Sequence, residues 1–259
     1  MTILSPGRSV LSGLLAGATL AALLSSCAST QAVREQHRAA VYNTELGIAY
    51  LQRGELAVAK RKLDLAVREN REDPNVHSAR ALLFARLREP QKADREFREA
   101  LRLAPKNPNF QNNYAVYLCS NGRQAQGVKY FLLAARNPLY LTPAAAYSNA
   151  GVCLRAAHRY GEAARMFHAA LAVQPGFAQA AWQLADMDFR RGHLAQAHSE
   201  IATYLGSYQE TPDLLLLAVK IMRAQHDDLD AELYARKLQL DFPDSMQAHA
   251  LASLGHNPG

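Results

Sequence analysis

The sequence predicts an all-α protein: a right-handed superhelix of about six helix-turn-helix units with a C-terminal capping helix. Three observations support this fold class. Alanine and phenylalanine recur every 34 residues, and proline recurs where one helix must end and the next begin. The composition, 49% hydrophobic and 20% charged, is typical of a folded chain. A fixed period of this length indicates stacked units that bury a continuous core.

The repeat is clearest in its large side chains. Phe97 and Phe131 are 34 residues apart, and Phe167 follows after 36. The alanine series keeps the same step, and it slips by two at the same place, the insertion 137–143. One small insertion therefore explains every deviation from the period. We expect small residues such as Gly47 and Gly151 to lie where paired helices cross closely, with the phenylalanines filling the gap to the next unit.

The period divides the chain into repeats, and proline near each boundary supports the division. The predicted repeats are 40–73, 74–107, 108–141, 144–177, 178–211 and 212–245, followed by a capping segment and tail, 246–259. The sixth repeat departs most from the pattern, since His226 stands at its turn and Ala235 at its aromatic position. Terminal repeats are often atypical because one face meets solvent.

The N-terminus has the features of a lipoprotein signal peptide, residues 1–26. Arg8 precedes an uncharged run from Val10 to Leu24, and Leu24-Ser25-Ser26-Cys27 resembles the bacterial lipobox. We expect a lipid on Cys27 and a lipid-anchored linker over 27–39, disordered to about Gln36. The alternative is an ordinary secretory signal with an accidental cysteine. Ala28 after the cysteine favours the periplasmic face of the outer membrane, by analogy with sorting rules in Gram-negative bacteria.

Charge and motif content argue against several functions. The segment 31–107 holds 16 Lys and Arg against 11 Asp and Glu, whereas 108–259 is balanced. The basic excess is either a solvated face or a binding patch, and nucleic acid is not an expected partner. The sequence contains no zinc-protease, Walker or dinucleotide-binding motif. We therefore expect no enzymatic activity, metal site or small-molecule substrate. The alternative, an enzyme hidden in a repeat scaffold, would need a polar cluster of titratable groups that no spacing here supports.

A superhelix of this kind usually binds partners on the concave surface lined by first helices. The repeat frame places on that surface an apolar start in repeat one and an asparagine cluster in repeats three and four: Val41, Thr44, Glu45, Ile48, Leu51, Asn112, Asn113 and Asn149. Asparagine suits a peptide backbone because its amide both donates and accepts hydrogen bonds. Val41, Ile48 and Leu51 are equally interpreted as contacts with repeat two. Trp182 and Phe189 have the same two interpretations, binding or packing.

Cys119 and Cys153 lie in first helices of adjacent repeats. Their positions in the repeat differ by two, so their side chains meet only if the two helices are suitably rotated. An oxidising periplasm permits a disulfide between them. The alternative is a pair of buried free thiols that fill core space.

The middle of the chain is more specific than the repeat alone. Asn112-Asn113-Tyr114, Leu118-Cys119, the insertion with Asn137-Pro138-Leu139-Tyr140 and Thr142-Pro143, and Asn149-Ala150-Gly151 resemble the PilF/PilW family of type IV pilus biogenesis lipoproteins, which are tetratricopeptide-repeat proteins. The lipobox, six repeats and the Phe242–Ser245 ending extend the resemblance over essentially the whole chain.

The resemblance implies a pilotin, an outer-membrane lipoprotein adaptor that helps subunits of the type IV pilus secretin reach that membrane and form their ring. It implies no enzymatic activity and no cofactor. It also associates the partner surface with the early repeats, which here means Val41, Ile48 and Leu51. The alternative is another periplasmic tetratricopeptide adaptor lipoprotein, for example one that docks peptidoglycan hydrolases.

Overall fold

The computed structural model describes the backbone of residues 11–254 and the side chains of residues 31 and 33–251. Within that part every secondary-structure element is a helix, and the all-α fold class is confirmed. The thirteen helices described are α1 (Leu11–Gln52), α2 (Leu56–Glu69), α3 (Pro74–Arg86), α4 (Pro90–Leu103), α5 (Pro108–Ser120), α6 (Gln124–Ala135), α7 (Pro143–Ala156), α8 (Tyr160–Val173), α9 (Ala178–Arg190), α10 (Leu194–Leu205), α11 (Pro212–Ala224), α12 (Asp228–Asp241) and α13 (Met246–Leu254).

The helices form pairs that follow the 34-residue period. The C-terminal part of α1 packs against α2, and the later pairs are α3 with α4, α5 with α6, α7 with α8, α9 with α10, and α11 with α12. The chain divides into two compact units, 1–105 and 106–259. The first contains repeats one and two, and the second contains repeats three to six and α13.

The turn inside each helix pair shows the repeat directly in the backbone. One residue per turn has a positive φ, and the six are Gly54, Arg88, Gly122, His158, Gly192 and His226. Successive members are 34 residues apart except for the step of 36 from Gly122 to His158. Every helix pair therefore turns through a left-handed residue, and the two extra residues lie between repeats three and four.

Polar caps and prolines set the starts of several first helices. Asp73 accepts a hydrogen bond from the N–H of Asn75 at 2.8 Å, and Asn107 accepts one from the N–H of Asn109 at 3.0 Å. Such caps satisfy backbone donors that the first turn leaves free. Proline, which lacks the N–H, occupies the first position of α3, α5, α7 and α11.

Close helix crossings pair a small residue with a large one, as predicted. A Cβ atom added to Gly47 would lie 2.6 Å from Cγ of Leu63. Phe97, Phe131 and Phe167 are each 2% exposed or less. In repeat six the sizes are exchanged: Val219 takes the position of the small residue, and Ala235 takes that of the large one. Both side chains belong to one buried cluster, so the exchange preserves packing in this atypical repeat.

The C-terminal helix α13 covers the last repeat. Ala248 and Leu251 pack with Leu215, Val219 and Leu238 in one apolar cluster. This is the covering role predicted for the capping segment. Residues 255–259, the predicted tail, lie outside the described residues.

The structure corrects one expectation at the N-terminus. Residues 27–39, predicted as a linker that is disordered to about Gln36, are helical and belong to α1. No proline or glycine interrupts the chain between Gly17 and Gly47, and alanine, glutamine, arginine and glutamate favour the helix. Residues 1–10 and the side chain of Cys27 lie outside the described residues, so the signal peptide and the lipid site remain predictions. Within the described part, no helix combines the length and apolar character needed to cross a membrane.

Candidate functional site

The end of α1 presents one exposed face. Val41 is 37% exposed, Ile48 is 36% exposed and Glu45 is exposed between them. The spacing i, i+4, i+7 places these three side chains on the same side of the helix. This exposed face of α1, formed by Val41, Glu45 and Ile48, is the part of the predicted apolar stripe that is accessible to a partner.

Thr44 and Leu51 do not belong to that face, which corrects their prediction as groove residues. Thr44 is 4% exposed, and its hydroxyl donates to the carbonyl of Ala40 at 2.7 Å. Leu51 is 7% exposed and packs in the core with Leu63 and Leu83. Leu51 is therefore a packing contact between repeats one and two, which was one of its two interpretations.

The three predicted asparagines lie on two helices that contact each other, α5 and α7. Asn112, Asn113 and Asn149 are all partly exposed. The Oδ1 atom of Asn112 and the hydroxyl of Ser148, which precedes Asn149, are buried without a hydrogen-bond partner among the described residues. Burying such a polar atom unpaired costs about 1–3 kcal/mol, which a backbone donor or acceptor of a bound segment would offset. We call these four residues the amide cluster.

A disulfide joins Cys119 to Cys153, with Cα atoms 5.7 Å apart, and thereby links α5 to α7. Cys119 lies seven residues after Asn112, and Cys153 lies four residues after Asn149. Helical spacings of seven and four place residues on the same side, so the disulfide holds the two helices together along the side that bears the amide cluster. The sequence had left open whether these two cysteines form a disulfide or remain free thiols.

The second compact unit also contains a cleft of about 530 Å³ formed by α9, α11 and α13. We call it the C-terminal cleft. Its lining residues are Trp182, Asp186, Phe189, Arg190, Asp213, Leu216, Leu217, Lys220, Met246, Gln247 and Ala250. Of these residues, the sequence offered Trp182 and Phe189 as candidates, with binding and packing as equal interpretations, and it offered none from α13. No local pattern marks Met246 or Gln247, because their role depends on where α13 folds back.

The charged side chains of the cleft differ in how well they are paired. Asp186 is nearly buried and receives hydrogen bonds from Arg155 at 3.0 Å and from Arg190 at 2.8 Å. Asp213 accepts a hydrogen bond from Gln247 at 2.6 Å. Lys220 is exposed and makes no hydrogen bond or ion pair within the described part of the chain. Across residues whose side chains the structure describes, no group of three or more His, Cys, Asp or Glu could hold a metal ion.

Comparisons with known proteins agree with this architecture. The profile of the tetratricopeptide repeat matches residues 154–221. The type IV pilus assembly protein PilF of Pseudomonas aeruginosa is 25% identical over 203 residues, which cover 78% of this chain and 81% of PilF. A Haemophilus influenzae protein is 31% identical over 138 residues, which cover 53% of this chain and 77% of that protein.

Among solved structures, that of PilW, described as a widely conserved type IV pilus biogenesis factor, has a TM-score of 0.63 and 28% identity. The similarity covers 82% of this chain and 98% of PilW. Paired helices, left-handed turns and the 34-residue step define a tetratricopeptide-repeat protein. Within that class, the chain belongs to the PilF/PilW family, as its central segment indicated.

Proposed function

We propose that this chain is a pilotin of the type IV pilus system: an outer-membrane lipoprotein that binds the secretin subunit and promotes its localisation and multimerisation. The observation that carries the proposal is the extent of the similarity to PilF, which covers 78% of this chain and 81% of PilF. A match of 203 residues is about six times the 34-residue period, so it extends over several repeats rather than one. The similarity to the PilW structure supports the same role in pilus biogenesis.

The proposed mechanism is that of an adaptor. A lipid on Cys27 holds the protein at the periplasmic face of the outer membrane, and helix α1 connects that anchor to the first repeat. Tethering raises the local concentration of the repeats at the membrane, so a modest contact with the secretin suffices for capture. The protein itself binds and positions the secretin subunit, and processing enzymes attach the lipid to Cys27.

The exposed face of α1 and the amide cluster are the proposed contact surfaces. Val41 and Ile48 offer apolar area on either side of Glu45, a pattern that suits an amphipathic helix. Each asparagine of the amide cluster carries both a donor and an acceptor on its side-chain amide, which suits an extended backbone. Each surface lies within its own compact unit.

The first test is a strain that lacks this gene, with its outer-membrane fraction blotted for the heat-resistant secretin multimer. We expect the multimers to vanish or to move to the inner membrane. Wild-type protein should restore them, and Cys27→Ala should not. Multimers at normal abundance and location in the deletion strain would contradict the proposal. A change in cell shape or wall turnover in that strain would then favour the peptidoglycan-hydrolase adaptor.

The second test concerns the face of α1. The double variant Val41→Asp with Ile48→Asp should abolish restoration of multimers, because two carboxylates prevent an apolar partner from packing there. Leu65→Asp on α2 is the matched control, since Leu65 is a 42% exposed apolar residue outside the proposed surface. Equal restoration by the double variant and the control would exclude this face as the contact.

A further inference from the structure

We infer that one surface of repeat three docks on a bilayer that contains anionic phospholipids. The surface combines the exposed face of α6 with the insertion that follows this helix, and we call it the leucine–cation surface. Its residues are Lys106, Lys129, Leu133, Arg136, Leu139 and Leu141, all in the second compact unit. The inference goes beyond the proposed adaptor function, because this membrane contact needs neither the secretin nor the attachment of a lipid.

Two leucines of the insertion project into solvent. Leu139 is 82% exposed and Leu141 is 95% exposed, so neither contributes to the core. Tyr140, which lies between them in the chain, instead packs against the buried cluster that contains Phe131 and Cys153. The packing of the repeats therefore accounts for the tyrosine and leaves the two leucines without a role in the fold.

Hydrogen bonds hold the insertion in a defined conformation. The side chain of Asn137 donates to the carbonyl of Lys106 at 2.9 Å, and it accepts from the N–H of Leu139 at 2.9 Å. The N–H of Tyr140 donates to the carbonyl of Asn137 at 3.0 Å. A segment that is already ordered loses little conformational entropy when it makes a contact, and this favours docking. The first bond also keeps Lys106, an exposed cation, beside the insertion.

The adjoining face of α6 carries two cations and a third leucine. Lys129, Leu133 and Arg136 are all exposed, and their spacing of i, i+4, i+7 places them on one side of the helix. Arg136 directly precedes the insertion. Among the described residues, the side chains of Lys106, Lys129 and Arg136 make no hydrogen bond or ion pair. Unpaired cations therefore flank the exposed leucines.

The charge of this part of the chain is positive. The sequence contains no Asp or Glu between Glu99 and Glu162. A groove of about 440 Å³ between α6 and α8 is lined by three cations, Lys129, Arg136 and Arg159, and by one carboxylate, that of Glu162. Glu162 is already paired with Arg159 at 2.6 Å. Two positive charges therefore remain in excess, and they are available to an external anion.

The shape of the surface favours a lipid rather than a protein partner. Leucines at nearly full exposure on a turn protrude from the fold, so a folded partner would need a matching cavity for them. A bilayer accepts such a protrusion at the boundary between headgroups and acyl chains, while neighbouring lysines and arginines stay at the level of the phosphates. Anionic lipids attract those cations. Shape and charge together point to an anionic membrane surface.

Tryptophan fluorescence of the full chain tests the inference. The chain is reconstituted in vesicles of phosphatidylethanolamine and phosphatidylglycerol, and Trp182, its single tryptophan, is replaced by phenylalanine. A new tryptophan is then placed at Leu139 or at Leu229. Leu229 is the matched control, since it is also 82% exposed but lies between Asp228 and Asp230. Phospholipids brominated on their acyl chains should quench Leu139→Trp and leave Leu229→Trp unquenched.

Lipid charge and protein charge should both control insertion. Quenching of Leu139→Trp should fall in vesicles of phosphatidylcholine alone, and it should fall as salt is raised. Lys129→Gln with Arg136→Gln should lower the equilibrium constant for insertion by about 25-fold, because each cation near an anionic surface contributes about fivefold. Arg236→Gln removes an exposed cation from α12 and should leave the quenching unchanged.

Equal quenching of the two tryptophans, quenching that is independent of lipid charge, or no effect of the double glutamine variant would each overturn the inference. If Leu139→Trp stays unquenched while Leu139→Ser with Leu141→Ser loses secretin multimers in cells, the surface contacts a protein and the inference is wrong. Because the vesicles contain no secretin, failure in this assay is distinct from normal multimers in the deletion strain, which contradict the proposed function.

Discussion

Gly151 of α7 lies directly against the ring of Phe167 of α8, so that a Cβ atom on the glycine would approach Cε1 of the ring to 2.5 Å. The ring is fully buried and cannot move aside without disturbing the core of repeat four. The crossing of α7 and α8 therefore requires the absence of a side chain at this position. Gly47 has the same relation to Leu63 in repeat one.

Gly151→Ala should lower the free energy of unfolding by about 1–3 kcal/mol, because overpacking forces the ring or the helix to shift. Gly161→Ala is the matched control. Gly161 lies in the first turn of α8 with open space around it, so alanine there meets no clash and should not lower the free energy of unfolding. Urea unfolding followed by circular dichroism measures both. A neutral or stabilising Gly151→Ala would contradict this account of the crossing.

The turn of repeat two should gain stability from glycine. Arg88 has φ = 57°, and this left-handed conformation costs a non-glycine residue about 1–2 kcal/mol. Gly54, Gly122 and Gly192 stand at the equivalent turns of other repeats. Arg88→Gly should therefore raise the free energy of unfolding by about 1 kcal/mol, and the thermal midpoint should rise with it. In contrast, Arg95→Gly in the middle of α4 should lower the free energy of unfolding by about 1 kcal/mol. Equal effects of the two glycines would show that the turn is not strained.

A histidine in α3 should make stability depend on pH. His77 is 8% exposed; its Nδ1 lies 2.6 Å from Glu96 Oε2, and its Nε2 lies 2.8 Å from the Arg71 carbonyl. Both partners are acceptors, so the protonated ring donates to both. Burial lowers the pKa of His77, but hydrogen bonds to Glu96 and Arg71 and the charges of Glu96 and Glu99 outweigh it, and the pKa is raised.

Because the pKa is raised on folding, the stability contributed by the protonated ring is complete below the unfolded value of about 6.5 and is lost as pH rises through the folded value. Urea unfolding should therefore give a lower free energy at pH 8.5 than at pH 5.5, by a margin that shrinks in His77→Gln. Arg80, which also approaches Glu96 at 3.5 Å, is unchanged in that variant. The same pH dependence in His77→Gln and wild type would assign the effect to other groups.

The disulfide should contribute substantially to the second compact unit. Its cysteines are 34 residues apart. A cross-link that closes a loop of this length lowers the entropy of the unfolded chain and thereby raises the free energy of unfolding by about 3–4 kcal/mol. Cys119→Ser with Cys153→Ser should lower the thermal midpoint, and a reductant should lower it in the wild type to a similar value. The double variant itself should be insensitive to the reductant. A wild-type midpoint unaffected by full reduction would mean that the link does not constrain the unfolded chain.

The repeat could be predicted from the sequence because it depends on the sizes of side chains at regularly spaced positions. The 34-residue step follows from small residues at helix crossings and large ones between repeats, and both Gly151 and Phe167 take the expected places. The insertion 137–143 was visible as a slip of two, and the backbone shows the same slip between Gly122 and His158. By contrast, Thr44 and Ile48 are four residues apart on α1, yet one is buried and the other is 36% exposed. The 34-residue repeat pattern had placed both residues on the concave surface.

The sequence by itself determined the class of fold, the number and phase of the repeats, and the family, because each depends on residues whose spacing recurs along the chain. The tertiary structure decided which groove candidates are accessible, whether Cys119 meets Cys153, and that α13 closes a cleft beside Trp182. The physical reason is that helix periodicity assigns a side chain to a face, whereas burial and pairing depend on how neighbouring helices are rotated against that face.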